Sequence, residues 1–453
     1  MTQNSSNKLG LWTLTSLVVG NMIGSGIFLI PAAMASYGAI GLLGWLFSAV
    51  GAFFIAKIFS NMSRLDPGVT GGPYAYTRAG LGDFAAFLVA WGYCLGTCCA
   101  CTATVVSFIS AMSSFFPVLA SNSVAAVITG LVTIWFITWI NSRGVAISGK
   151  FQLVTTILKL IPLALVAVGG LFFIRTANFH PFNLSGKPAF DAITTTAAMT
   201  MFAFVGIECA SIPAGSVEDS AKTVSRATII GCLIATTVYI LGSFSVMGII
   251  PSTMLGKSAT PYADAGVVIY GPAARYIVSG GVAIAAFGAL NGWVLVLGQL
   301  PMGIAKDKLF PGIFARTNKK GVPAIGMTIS CIIISLLMIM NFTKGLVDQF
   351  RFLLLLATLG ILVPYLLSAA SYVVMSAKKT HLAKGGLIAV MALGLGGFLY
   401  SLWEVVGIGQ QSVFDGFLFL MAGVPFYVWV AYKKASSSPA TGEAAGVTTK
   451  REA

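Results

Sequence analysis

Twelve apolar runs, each long enough to cross a membrane, constrain the fold of this chain most strongly. A helix needs about 20 apolar residues to cross about 30 Å of hydrocarbon, and charged residues make up only 9% of the sequence, against roughly 25% in soluble domains. The runs lie at residues 11–37, 40–63, 82–111, 122–141, 150–174, 190–216, 226–250, 272–305, 323–342, 347–376, 385–407 and 412–432. The sequence therefore predicts an all-α integral membrane protein with twelve transmembrane helices.

The distribution of basic residues predicts the orientation of these helices. The formal net charge is +14, but the lysines and arginines are spread singly over short loops and form no patch suited to nucleic acid. If both termini are cytoplasmic, twenty basic residues lie inside and six lie outside, which fits the positive-inside rule. We therefore expect a multi-pass protein of the cell (inner) membrane, surrounded by lipid, with cytoplasmic N- and C-termini and no nucleic-acid partner.

The placement of cysteine and histidine argues against a cofactor, a metal site or an enzyme active site. All seven cysteines fall inside predicted spans, and the two histidines, His180 and His381, lie in loops. Helical spacing separates Cys98, Cys99 and Cys101 around the helix axis, so we expect them to pack as small apolar side chains. The sequence has no phosphate-binding loop and no nucleophile beside a histidine, so we expect a transporter that uses neither metal nor cofactor.

Two of the predicted spans contain helix breakers near their middle. The first span reads "VVGNMIGSGIFLIP" at 18–31, with three glycines in seven positions, and the sixth reads "MFAFVGIECASIPAGS" at 201–216, with Gly206 before Glu208 and Pro213 after it. An interior glycine costs about 1 kcal/mol relative to alanine, and hydrocarbon penalises unpaired backbone groups further. Breaks at these two places therefore require a compensating function.

The separation of the breaks predicts an inverted repeat. They lie five spans apart, so the second unit enters the membrane from the opposite side. We expect repeats at about residues 11–175 and 190–376 of a transmembrane domain covering 1–434, two further helices at 385–432, and a disordered cytoplasmic tail at 435–453. Paired glycine-interrupted spans in corresponding halves indicate the binding site of a secondary transporter.

The chemistry of the broken backbone suits an α-amino acid. Unwinding at Gly24, Ser25 and Gly26 would leave the amides of Ser25, Gly26 and Ile27 at the N-terminus of a half-helix, where a carboxylate binds. Carbonyls at Asn21 to Ile23, and at Phe202, Ala203 and Val205, would accept hydrogen bonds from an ammonium group. The alternative is that the small residues only permit close helix packing.

Five motifs resemble one transporter superfamily. These are "GNMIGSGIF" at 20–28, "GGPYAYTRAG" at 71–80, "FAFVGIE" at 202–208, "LNGWVLVLGQ" at 290–299 and "LVPYL" at 362–366. Together they resemble the amino acid, polyamine and organocation (APC) superfamily, and within it the basic amino acid and polyamine antiporters. The resemblance implies a LeuT-like (APC) fold with broken first and sixth helices in a 5+5 inverted repeat, alternating access, and a homodimer.

The same resemblance implies roles for individual residues. Ser25 and Gly26 match the carboxylate-binding loop, Tyr93 and Trp293 match aromatic residues that contact substrate, and Glu208 matches a glutamate linked to cationic substrates and pH. Tyr74 and Tyr365 match gating tyrosines. The predicted substrate-binding set is Asn21, Ile23, Gly24, Ser25, Gly26, Ile27, Tyr93, Thr97, Cys101, Phe202, Ala203, Val205, Glu208, Trp293 and Ala357.

Departures from the arginine/agmatine pattern affect substrate choice. Phe202 stands where a tryptophan stacks on the guanidinium, Cys101 replaces an asparagine, and Ala357 replaces a serine. A phenyl face can still attract a cation. These changes leave open which amino acid or amine is carried.

Lys159, in "TTILKLIPLAL" of the fifth span, is the most informative departure. A lysine inside a span costs at least about 2.5 to 3.5 kcal/mol on insertion scales, and in proton-coupled relatives a lysine here fills the region where sodium-coupled relatives bind an ion. Two roles stay open, a proton carrier and a fixed cation bonded to the broken first span. Lys159 and Glu208 are the predicted ion-coupling residues; Glu404 and Asp415 lie near span ends.

The main functional prediction is a secondary active transporter of the basic amino acid/polyamine antiporter type, which moves amino acids or amines across the cytoplasmic membrane by alternating access. The alternative is a proton-coupled symporter of neutral amino acids with Lys159 in the coupling role. In both cases the expected partners are an amino acid or amine and protons.

Overall fold

A computed structural model describes residues 10–24, 26–67, 71–143, 158–212, 214, 217, 219–340, 343–379 and 384–437. Within these ranges the chain is helical and forms no strand. The principal helices are α1 (Leu11–Met22), α2 (Gly26–Met34), α3 (Gly41–Leu65), α4 (Pro73–Leu81), α5 (Asp83–Met112), α6 (Ser123–Ser142), α7 (Leu158–Phe173), α8 (Ala189–Met201), α9 (Ser220–Ile249), α10 (Pro261–Tyr270), α11 (Ala274–Lys306), α12 (Ala324–Met340), α13 (Leu346–Lys379), α14 (Lys384–Ile408), α15 (Gln410–Met421) and α16 (Gly423–Ser437).

These helices make the twelve predicted crossings in the described part of the chain. Most crossings are single helices of 20 or more residues with apolar composition, whereas α7 and α12 are shorter apolar helices at the fifth and ninth positions. The first crossing is divided between α1 and α2, the sixth begins with α8, and the twelfth is divided between α15 and α16. The prediction of an all-α, twelve-span fold is confirmed.

Consecutive crossings run in opposite directions, so their ends and the segments that join them lie on two opposite faces of the molecule. We call the face on which α1 begins the N-terminal face; it also carries α4 and the ends of α6 and α11. The opposite face carries the 3₁₀ turn Ala35–Ile40, the helix α10 and the link between α14 and α15. The eleventh and twelfth crossings are the least buried of the long spans, as expected for helices added outside the two repeats.

Both predicted breaks are present. The first crossing stops at Met22 and restarts at Gly26. In the sixth, α8 ends at Met201, a 3₁₀ turn covers Phe202–Phe204, and Gly206 has a left-handed φ of 113° before a second 3₁₀ turn, Ile207–Ser211. A Cβ at Gly206 would lie 3.1 Å from the backbone nitrogen of Met22, so the two breaks contact each other where glycine is required.

Close backbone contact between α5 and α13 holds the centre of the bundle. A Cβ at Gly360 would lie 2.6 Å from the Cα of Gly96, and one at Gly96 would lie 3.0 Å from the carbonyl carbon of Gly360. Small residues at such crossings let helices approach closely in a membrane, where van der Waals contact replaces the hydrophobic effect. The two glycines thus fix the spacing of the third and tenth crossings.

We expect Gly360→Ala to destabilise the protein by about 1 to 3 kcal/mol, the usual cost of overpacking. The matched control is Gly303→Ala in α11, where an added Cβ meets nothing within 4 Å and the better helix propensity of alanine applies. Thermal unfolding of the detergent-purified proteins measures the difference. Equal unfolding temperatures for the two variants would contradict this account of the α5–α13 contact.

Candidate functional site

A cavity lies between the two breaks and the central spans. Its volume is about 20 Å³, room for about one water molecule and far below the roughly 300 to 1,000 Å³ of small-molecule pockets, so the cavity is nearly closed in this structure. It is lined by Asn21, Met22, Gly24, Gly26, Ala100, Thr104, Phe202, Ala203, Val205 and Trp293. The lining therefore combines broken backbone from the first and sixth crossings with side chains from α5 and α11.

The N-terminus of α2 opens onto this cavity. Helix α2 begins at Gly26 and is nine residues long, so its first amides have no acceptor within the helix and attract an anion. A Cβ at Gly26 would lie 2.9 Å from the Phe202 ring. The bare glycine therefore lets the ring, or a ligand in its place, lie directly on the helix end.

Acceptors for an ammonium group lie on the other side of the first break. Asn21 lines the cavity, and its side-chain oxygen Oδ1 is buried and has no hydrogen-bond partner among the described residues. Other acceptors at the breaks are occupied: the Met22 carbonyl accepts from the Gly24 amide at 2.7 Å, and the Ala203 carbonyl accepts from Tyr239 Oη at 2.8 Å. Asn21 therefore offers an unsatisfied acceptor close to the anion-binding end of α2.

Glu208 lies three residues beyond the cavity-lining Val205 and is fully buried. Its carboxylate accepts hydrogen bonds from Tyr93 Oη at 2.5 Å, from Tyr365 Oη at 2.6 Å and from the Gly206 amide at 3.3 Å. These bonds join the third, sixth and tenth crossings. In the described part of the chain no basic side chain is bonded to Glu208, so its charge would be compensated only by hydrogen-bond donors.

Lys159 reaches the first break from the fifth crossing. Its side chain is fully buried, and Nζ donates a hydrogen bond to the Gly20 carbonyl. Gly20 lies in the last turn of α1, where carbonyls lack intrahelical partners. The lysine thus binds the carbonyl end of α1 and links the fifth crossing to the broken first crossing.

Further contacts close the molecule on both faces of the cavity. On the N-terminal face, Tyr74 Oη donates to Asp307 at 2.8 Å, and Arg78 pairs with Asp307 at 3.0 Å. Burial, and then the hydrogen bond to Asp307, raise the pKa of Tyr74, so the phenol stays neutral and donates. Toward the opposite face, the Phe202 ring meets Phe350 edge-on with centroids 6.1 Å apart.

The structure brings together only part of the predicted substrate-binding set. Asn21, Gly24, Gly26, Phe202, Ala203, Val205 and Trp293 line the cavity, whereas Ile23, Ile27, Tyr93, Thr97, Cys101, Glu208 and Ala357 lie outside its lining. Ser25 lies outside the described residues. The gating candidates Tyr74 and Tyr365 bond Asp307 and Glu208 as given above. The roles assigned to these residues stay predictions.

Two lining residues, Ala100 and Thr104, were missed by the sequence analysis, and a third, Met22, lay within the predicted carbonyl stretch Asn21 to Ile23 but not in the predicted substrate-binding set. On α5, residues 93, 97, 100 and 104 follow the helical spacing that places side chains on one face. Ala100 and Cys101 lie three and four residues after Thr97, so the spacing alone admits both, and the structure places Ala100 and Thr104 at the cavity. Met22 is the last residue of α1, whose end could not be located to one residue from the pattern.

The match to a known family covers nearly the whole chain. A family model described as amino acid permease matches residues 9–431. The chain belongs to the amino acid permease family. The permease is 30% identical over 448 residues to an arginine/agmatine antiporter of Chlamydia pneumoniae, with 95% of this chain and 91% of the relative covered.

Two other relatives support a finer placement. The permease is 33% identical over 384 residues to an arginine/ornithine antiporter of Pseudomonas aeruginosa, covering 82% of this chain and 79% of the relative. It is 29% identical over 429 residues to a putrescine transporter of Haemophilus influenzae, covering 94% of this chain and 98% of the relative. These matches confirm the resemblance to the basic amino acid and polyamine antiporters of the APC superfamily.

A solved structure supports the fold. A Na⁺-coupled sialic acid symporter, in a substrate-bound outward-open state, aligns with a TM-score of 0.58 over 92% of this chain and 90% of that chain. Its sequence identity is 12%, so the likeness concerns the fold alone. It is consistent with the predicted LeuT-like arrangement of the permease.

We expect Gly26→Val to weaken binding of α-amino acids at least about tenfold, because the added side chain meets the Phe202 ring and covers the amide end of α2. Gly303→Val is the control, since Gly303 of α11 lies outside the cavity lining and a Cβ there meets nothing within 4 Å. Isothermal titration of the purified proteins with a panel of amino acids measures the affinities. Wild-type affinity in Gly26→Val would exclude this helix end as the carboxylate site.

Proposed function

We propose that this permease is an antiporter that exchanges a basic amino acid for a second cationic amino acid or an amine by alternating access. The relatives are named for arginine, agmatine, ornithine and putrescine, all of which carry a cationic group. The observation that carries the proposal is the buried Glu208 carboxylate, which has hydrogen-bond donors but no bonded cation among the described residues. A cationic substrate would supply the missing positive charge.

The geometry of the cavity supports a definite substrate orientation. The substrate carboxylate binds at the amides that begin α2, and its α-ammonium group binds Asn21 Oδ1 and backbone carbonyls of the breaks. The side chain then extends between Phe202 and Trp293, whose ring faces attract a cation. An amine without a carboxylate uses the aromatic and acidic part of the site only.

Alternating access follows from the contacts that close the two faces. In the proposed orientation the N-terminal face is cytoplasmic, as the loop charges predict. Opening toward the cytoplasm requires release of the Tyr74–Asp307 bond and of the tyrosine bonds to Glu208, whereas opening outward requires separation of Phe202 from Phe350. Because Phe202 also covers the α2 terminus, substrate binding and closure of the outer side involve the same ring.

We expect Glu208→Gln to reduce exchange of cationic substrates at least about 30-fold, because about 2 kcal/mol or more is lost when one partner of a buried charge pair is removed. Exchange of a neutral amino acid should change little. Counterflow in proteoliposomes preloaded with arginine, lysine, ornithine, putrescine, agmatine or leucine measures both. Asp415→Asn, in a partly exposed carboxylate of α15, is the control, and an equal loss for cationic and neutral substrates would contradict the proposal.

Lys159 favours a second candidate function, proton-coupled symport of neutral amino acids. A buried lysine that bonds the carbonyl end of the broken helix would lose and regain a proton as that helix moves. In the antiporter, the same lysine acts instead as a fixed cation that holds the first break to the fifth crossing. The two functions differ in whether removal of the lysine affects exchange.

For the antiporter, we expect Lys159→Ala to reduce exchange of labelled for unlabelled substrate at least about tenfold, because the Gly20 carbonyl loses its partner and an unsatisfied buried acceptor costs about 1 to 3 kcal/mol. Lys222→Ala, at an exposed lysine paired with Asp219, is the control. Tracer exchange, and accumulation driven by an imposed pH difference, are measured in parallel. Intact exchange with loss of pH-driven accumulation would favour the symporter.

A further inference from the structure

A second fully buried carboxyl group, Glu404, lies in α14 of the eleventh crossing, outside the cavity-lining set. Its place in the sequence suggests the end of a span, and it is one helical turn, about 6 Å, from the last residue of α14. The structure nevertheless leaves none of its side chain exposed. Depth along the span and burial in the bundle are separate properties, and the sequence shows only the first.

Glu404 has one hydrogen-bond partner among the described residues. Tyr400 Oη donates to Oε1, and Oε2 is buried without a partner. A carboxylate accepts up to about four hydrogen bonds, and burying an ionised carboxylate that is neither paired nor fully hydrogen-bonded is costly. The surroundings therefore suit the neutral acid, whose proton lies on one oxygen.

No charged neighbour compensates Glu404 in the described part of the chain. The helices packed against α14 are α3, α8, α13 and α15, and none of their titratable or charged groups makes a hydrogen bond or ion pair with it. The groups with described side chains are Lys57 and Arg64 of α3, Asp191 of α8, Asp348, Arg351, Tyr365, Tyr372 and Lys378 of α13, and Asp415 of α15.

The part of α14 that carries Tyr400 and Glu404 packs against the second and sixth crossings. A Cβ at Gly51 of α3 would overlap the Tyr400 ring, and one at Gly407 would overlap the Thr194 carbonyl of α8. Tyr400 Oη also lies 3.7 Å from the sulfur of Met201, the last residue of α8 before the break. The next residue, Phe202, covers the α2 terminus and lines the cavity.

We propose that Glu404 is a proton-binding site separate from the Glu208 carboxylate, and that its protonation holds α8 against α3 and α14. A proton from solvent adds to the carboxylate to form the neutral acid and returns to solvent when it leaves, with no other bond made or broken. Deprotonation leaves an unpaired charge in this contact, so α8 separates from α14 and the break at Phe202 is released. The coupling to transport rests on the proposed function, whereas the proton binding does not.

Three aromatic contacts provide a local spectroscopic signal. The Trp403 ring lies 6.0 Å from the Tyr400 ring, 5.8 Å from the ring of Phe47 in α3 and 6.2 Å from the ring of Phe190 in α8. Separation of α8 and α3 from α14 would change its surroundings. The difference between wild-type emission and that of Trp403→Phe isolates the contribution of this one tryptophan from that of the others.

The experiment measures unfolding temperature and Trp403 emission of the full-length purified protein from about pH 5 to about pH 9. Because the folded state holds the neutral acid, its stability relative to the unfolded state falls as pH rises. The side-chain amide of Glu404→Gln permanently mimics the neutral acid, so we expect this variant to lose less stability over the same pH range. The pH-dependent part of Trp403 emission should vanish in Glu404→Gln and persist in Asp415→Asn. Parallel curves for wild type and Glu404→Gln, in stability and emission, would overturn the proposal.

Two further variants cover the case in which Glu404→Gln fails to fold. Glu404→Asp keeps a titratable group, so its pH dependence should be retained with a displaced midpoint. Tyr400→Phe removes the one donor that the described residues offer the carboxylate, so its midpoint should move toward higher pH; unchanged midpoints in both variants would overturn the proposal. If wild type shows the stability and emission changes but no exchange in proteoliposomes, the proposed function fails and the proton site stands.

Discussion

Unpaired backbone inside the bilayer is the constraint on which the rest of this structure depends. Each break frees amide and carbonyl groups where water is scarce, and the protein supplies partners from other crossings. Lys159 donates a hydrogen bond to the Gly20 carbonyl, and Tyr239 donates one to the Ala203 carbonyl. The Gly24 amide donates to the Met22 carbonyl. The groups left without partners are the first amides of α2, which begins at Gly26, and Oδ1 of Asn21, and both Gly26 and Asn21 line the cavity. The proposed binding site thus consists of backbone amides at the break and one side-chain oxygen that the described part of the fold leaves without partners.

The two buried carboxyl groups, Glu208 and Glu404, differ in the hydrogen bonds that they accept. Glu208 receives two tyrosine hydroxyls and an amide, an arrangement that tolerates negative charge and suits a cationic partner. Glu404 receives one hydroxyl and keeps one oxygen without a partner in the described residues. Hydrogen bonds to the charged form favour it, and burial without them favours the neutral acid. A glutamate side chain can therefore compensate the charge of a cationic substrate at one position and bind a proton at another.

Glycines act at helix contacts as well as at the breaks. Gly96 and Gly360 set the distance between α5 and α13, and Gly51 accommodates the ring of Tyr400. Gly206 differs from these, because its positive φ and its contact with the α1 backbone both exclude a side chain. A glycine in an apolar run does not by itself reveal which of these purposes it serves.

The sequence by itself determined the twelve crossings, the all-helical class, the places of both breaks and the family. These properties depend on local composition, on glycine and proline within apolar runs, and on short motifs, so they can be read without knowing which helices touch. The choice of Ala100 and Thr104 over Cys101 in the cavity, the binding of Lys159 to Gly20 and the full burial of Glu404 were decided only by the tertiary structure. Each depends on how helices far apart in the chain rotate and pack against one another, and a hydropathy pattern that is apolar on all sides carries no record of that rotation.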